Sequence, residues 1–113
     1  MARYVFLAFS NPVPGRENAF LEWQKNVHIP DGLNIPGYVA ATFYKLADAQ
    51  ILPNVAEGSG AYLTIWEIET DDIAATKAQV EKMLPSFTWS DAIADDRTRT
   101  GTYVAVAERR LAK

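Results

Sequence analysis

Six consecutive residues, Tyr4 to Phe9, are apolar or aromatic with no polar alternation. A strand with one wet face alternates, so an unbroken run predicts a strand covered on both faces. Tyr103 to Ala107 repeats the pattern near the C-terminus. A third candidate, Ala61 to Glu69, sets Tyr62, Thr64, Trp66 and Ile68 on one face and Leu63, Ile65 and Glu67 on the other. Any fold open to this chain must cover both faces of a sheet built from these strands.

The remaining segments limit how that is done. Arg3 to Ser10 is the first strand, and Asn11-Pro12-Val13-Pro14-Gly15 ends it as a loop. Arg16 to Val27 has Ala19, Phe20, Trp23 and Val27 at helical spacing. Pro30 has no amide proton and disfavours α geometry at Ile29, so a break is expected near His28 and Ile29. A short turn from Pro30 to about Asn34 follows, ended by Pro36-Gly37. Tyr38 to Leu46 is the second strand, and Ala47 to Gly60 a long connection. After the third strand, Thr70 is the expected N-cap of a helix reaching Leu84, with Asp71 and Asp72 in its first turn. Its expected buried stripe is Ile73, Ala74, Ala78, Val80, Met83 and Leu84, and Pro85 stops it. Ser86 to Thr98 is irregular, with Ser90 a candidate cap for a short turn through Asp95, and Arg99 to Leu111 is the last strand.

The order β-α-β-β-α-β is that of the ferredoxin-like α+β fold, a four-stranded antiparallel sheet with two helices on one face. Two helices leave the other face bare, yet the strands are apolar on both sides. A homodimer packed sheet to sheet covers that patch, so the expectation is a single domain over residues 1–113 that pairs with a second copy.

Composition removes several functions. The formal charge of −3 is unsuited to nucleic acid or an anionic membrane surface. The longest apolar run falls far short of the ~20 residues of a spanning helix. With the first strand beginning at Arg3, no signal peptide is expected, and the expected location is cytoplasmic. Without cysteine there is no thiol chemistry and no thiolate metal site. Asp91, Asp95 and Asp96 have no supporting ligand pattern, so neither a metal nor any other cofactor is expected.

His28 is the only histidine, hence the one side chain whose ordinary pKa lies near neutrality. At a helix break it is a candidate general acid or base, with Asp31 a candidate orienting partner. The bland alternative is a hydrogen-bonded packing residue. Three Trp, five Tyr and five Phe exceed what one small core requires. Tyr4 and Phe6 share a face of the first strand, Tyr62 and Trp66 one of the third, and Trp89 lies in the irregular segment. These five are candidate ligand contacts by stacking, or else core and dimer interface.

Phe20-x-x-Trp23-x-x-x-x-His28-x-Pro30 with the following Pro36-Gly37, in the β-α-β-β-α-β order, resembles the EthD-like branch of the dimeric α+β barrel superfamily. The resemblance implies an aromatic-lined pocket between sheet and helices in each subunit, with His28 facing it. It does not select the reaction, because the superfamily holds monooxygenases, cyclases, isomerases, haem-degrading enzymes and proteins with no assigned reaction. The expected function is a small-molecule enzyme without a cofactor, with His28 as acid or base on an aromatic or polyketide-like substrate. The alternatives are a non-catalytic ligand-binding dimer and, third, a haem-binding or haem-degrading protein, since haem requires a single axial histidine.

Overall fold

The computed structural model describes residues 1–53, 60–94 and 99–112. Strand β1, Ala2–Ser10, lies inside the sheet. β2 is Tyr38–Lys45, β3 is Tyr62–Thr70 and β4 is Thr100–Val104. They form one antiparallel sheet in the order β2-β3-β1-β4, so the two longest strands, β1 and β3, are central and β4 is at an edge. The ferredoxin-like α+β fold expected from the sequence is the one observed. Asp95 and Asp96, and the middle of the long connection at 54–59, lie outside the described residues.

Register sorts the side chains. Tyr4, Phe6, Ala8 and Ser10 stand opposite Ile68, Trp66, Thr64 and Tyr62, all on the face that the helices cover. Val5 and Leu7 stand opposite Glu67 and Ile65 on the bare face. The last strand is shorter than expected. Val104 pairs with Tyr4 and the Ala105 amide donates to the Arg3 carbonyl at 2.7 Å, after which β1 has almost run out. Residues beyond Ala105 have no partner strand to extend on.

The first helix is not broken at His28. Helix α1, Glu17–Trp23, passes into a π turn, Gln24–His28, and then into α2, Ile29–Gly32, with helical angles at Ile29. The Ile29 amide donates to the Gln24 carbonyl, five residues back. In a straight α-helix the Pro30 ring would press on the carbonyl four residues earlier. Widening the helix by one residue accommodates the proline instead of ending the helix. Such π turns recur at functional sites.

The second helix, α3, spans Ile73–Met83 and is followed by a 3-10 turn at Leu84–Ser86. Its N-cap is Asp72 and not Thr70: Asp72 Oδ1 accepts from the Ala75 amide at 3.1 Å. Thr70 Oγ1 accepts from the Asp72 amide instead, and so aims the cap. Thr76 is the buried residue of this helix; Ala74 and Ala78 of the expected stripe are exposed. The larger core belongs to the first helix. Phe20, Trp23, Tyr62 and Ala92 pack together, with Val27, Phe43 and Ile93 against them. Among the described residues no helix is long and apolar enough to cross a membrane.

Candidate functional site

A cavity of about 450 Å³ lies between the sheet and the helices. Phe6 and Ala8 of β1 and Thr64 and Trp66 of β3 line it from the sheet. Gln24, His28, Gly32 and Ile35 line it from the first helix and its exit, Val80 and Leu84 from α3 and its end. Phe87, Trp89 and Ser90 complete it from a strap after the 3-10 turn. The strap is latched to the first helix. Trp23 Nε1 donates to the Thr88 carbonyl at 2.7 Å, and the Thr88 amide donates to Asp31 Oδ2 at 3.4 Å.

Rings surround His28. Its imidazole stacks on Trp23 with centroids 4.6 Å apart and meets Trp66 edge-on at 5.7 Å. Phe87 and Trp89 follow at 6.2 and 5.2 Å. An imidazolium among aromatic rings loses its hydration, so the pKa falls from 6.5 to about 4, against a smaller opposing pull from the Asp31 carboxylate. His28 is therefore neutral at pH 7. Asp31 makes no hydrogen bond to the buried Nδ1, which has no partner among the described residues, and it acts on the ring through charge alone. The Tyr38 hydroxyl, lining the same cavity, is pushed up from its ordinary value by burial and stays protonated. Trp66 touches both groups, its centroid 5.7 Å from Tyr38.

The depressed pKa links stability to pH. An unfolded chain protonates His28 below about 6.5, whereas the fold resists until about 4. Between those values the unfolded state binds more protons, so stability is lost as pH falls through this window, by roughly 3 kcal/mol in all. In H28Q that part of the slope is absent. Denaturant titrations of both chains at pH 7 and pH 4.5 should show the native chain losing more stability than the variant.

Of the sequence candidates, the fold brings His28, Phe6, Trp66 and Trp89 together around the cavity. Tyr4 and Tyr62 do not line it. Tyr62 stacks on Phe43 at 5.4 Å and packs on Phe20 at 5.1 Å, inside the core. Tyr4 sits between Ile68 and Val104, toward the end of the sheet where β1 begins.

Sequence reasoning missed most of the cavity lining, and Tyr38, Ser10, Gln24 and Gly32 are the missed residues that bear on the site. Tyr38 was legible only as a β-former after Pro36-Gly37. Its placement depends on Gly37, whose φ of +93° suits glycine and whose carbonyl accepts from the Glu69 amide at 2.9 Å. Ser10 and Gln24 carry no motif. Both are buried, with Ser10 Oγ and Gln24 Oε1 unpartnered among the described residues. Each unpaired buried group costs about 1–3 kcal/mol. Gly32 falls in the short turn expected from Pro30 to Asn34, where its spacing carries no signal, but a Cβ there would overlap the six-membered ring of Trp66. Gly32→Ala must therefore displace an indole that is buried and touches both His28 and Tyr38. A destabilisation of about 1–3 kcal/mol is expected for such overpacking, with altered near-ultraviolet tryptophan dichroism as the readout.

No family profile and no curated protein sequence matches the chain. Solved structures do. HapK from Hahella chejuensis superposes with a TM-score of 0.61 at 16% identity, over 97% of this chain and 99% of that one. A candidate monooxygenase from Shewanella loihica superposes with a TM-score of 0.52 at 12% identity, over the same shares. The chain shares the ferredoxin-like α+β fold of these two structures. An EthD family protein from Bacillus halodurans also aligns, at 14% identity and a TM-score of 0.45, over 96% of this chain and 100% of that one. Identities this low make the likeness one of fold and not of reaction. What the site does has to be argued from its own groups.

Proposed function

We propose that this chain is a small-molecule enzyme in which His28 takes a proton from a planar, largely apolar substrate. The observation that carries the reading is a neutral imidazole held among Trp23, Trp66, Phe87 and Trp89 at the wall of a cavity large enough for a small aromatic molecule. A C–H or O–H bond of the substrate breaks, the proton goes to the imidazole, and the electron pair remains as an enolate or phenolate. The protonated Tyr38 hydroxyl is suited to donate to that oxygen. A base of low pKa is weak in the empty cavity, but the substrate anion formed beside it stabilises the imidazolium, as the Asp31 carboxylate already does in part. Proton removal is the step that cyclisation, isomerisation and substrate-activated oxygenation share, so the reading accommodates each. The test is H28Q with a substrate found by screening uncharged aromatic and polyketide-like compounds. Turnover is expected to fall about 10²–10⁴-fold. Full turnover in H28Q would reduce the cavity to a binding site without this chemistry.

We also infer that two copies pair through the bare sheet face. Tyr44 and Tyr103 are 48% and 60% exposed there, beside Val5, Leu7, Leu63 and Ile65. A self-complementary contact covers this surface on both copies at once.

A further inference from the structure

The cavity has a polar side that the proton-transfer reading does not use. Ser10 ends β1 and Gln24 begins the π turn, and both line the cavity from opposite walls. Only 5% of Ser10 and 3% of Gln24 is exposed, yet Ser10 Oγ and Gln24 Oε1 have no hydrogen-bond partner among the described residues. Buried side-chain oxygens are ordinarily paired, and each exception calls for a reason. His28 Nδ1 at the same cavity is a third such atom, and all three are closed off from water in the free protein; they share a reason if a ligand toward which the side chains turn supplies the missing partners.

We propose that Ser10 and Gln24 are the polar anchors of this cavity, reading a hydrogen-bond donor on an uncharged planar ligand. A side-chain carbonyl accepts and cannot donate through its oxygen, so Gln24 Oε1 requires an O–H or N–H on the ligand. A serine hydroxyl both accepts and donates, and so tolerates the oxygen that carries that hydrogen. The other described walls are apolar, aromatic or neutral: Phe6, Trp66, Val80, Leu84, Phe87 and the uncharged His28. A carboxylate or ammonium entering them would lose its hydration with no opposite charge among these groups. The ligand class is therefore a neutral phenol, enol or lactam. The π turn explains how one helix serves both roles: nearly one full turn separates Gln24 from His28, so the same face presents an acceptor and a base. The inference rests on the cavity being the substrate site, but not on any proton moving.

The test uses two small probes, 2-naphthol and 2-methoxynaphthalene, which share a ring system and differ in the donor hydrogen. In calorimetric titrations the native chain should bind 2-naphthol about tenfold more tightly, the worth of one hydrogen bond to a neutral group. Gln24→Met keeps the volume and removes the acceptor. It should bring 2-naphthol down to the level of the methyl ether. It should also raise the melting temperature of the unliganded protein by several degrees, because an unpaired buried oxygen is gone. Ser10→Ala should act in the same direction on both readouts, and serves if Gln24→Met does not fold.

Equal affinity for the two probes, no binding of either, or a preserved preference in both variants would overturn the proposal. So would a lower melting temperature in both variants, since those oxygens would then already be paired in the free protein. Binding preference is measured without turnover. The proton-transfer reading therefore fails or stands separately, on H28Q.

Discussion

Turnover of a substrate of this cavity should be constant through neutral pH and fall only as the pH approaches 4. The profile of kcat/KM reports the free enzyme, and a base must be unprotonated to act. His28, with a pKa of about 4, is fully in its active form at pH 7 and remains so well below 6. A histidine in water would place the acid limb near 6.5. The difference of more than two pH units is too large to confuse with a modest perturbation. The cause is testable with Trp89→Ala. Trp89 is 44% exposed, so its removal should leave the core intact while admitting water beside the imidazole, 5.2 Å away. The acid limb should then move up toward 6.5. H28Q should lose the limb together with about 10²–10⁴-fold of the rate. A native limb already at 6.5 would mean that the rings do not desolvate His28, and the role given to them would fall.

Apolar parity made most of this fold legible. The unbroken run Tyr4–Phe9 is an inner strand, with β3 and β4 on either side, whereas the similar run from Tyr103 falls on the edge strand β4. His28 was legible as the sole histidine beside a proline, but the reason for its position was not. A proline at position 30 reads as a break in any rule based on α geometry. The chain widens into a π turn instead, which accommodates the proline while Trp23 and Gln24 stay buried. Gln24 and Ser10 were illegible for a different reason. A serine and a glutamine have no spacing signature, and their interest lies in lacking a partner, a property of the folded surroundings alone. Tyr62 shows the converse. It shares a strand face with Trp66, as its parity requires, but four residues along that strand carry it from the cavity into the core with Phe20 and Phe43.

Leu7→Glu should convert the protein from a dimer to a folded monomer. Leu7 lies on the central strand, opposite Ile65 on one side and Gly101 on the other, on the face without helices. In a two-fold contact each copy brings its own carboxylate into the same apolar patch, so each substitution counts twice. Burying a carboxylate without a partner is costly by several kcal/mol. In the separated chain that face is wet and the glutamate is solvated, so the fold should survive. Light scattering at micromolar concentration should give twice the chain mass for the native protein and the chain mass for the variant. A native protein of single chain mass would remove the case for pairing through the sheet. The cavity should be unaffected, because Phe6 and Ala8, the neighbours of Leu7 in sequence, point the other way and line it. Adjacent residues of one strand thus serve separate ends, pairing on one face and binding on the other. A slip of one residue in the β1–β3 register would exchange them. The mass and the 2-naphthol affinity of Leu7→Glu, measured together, test that separation: the first should halve while the second holds.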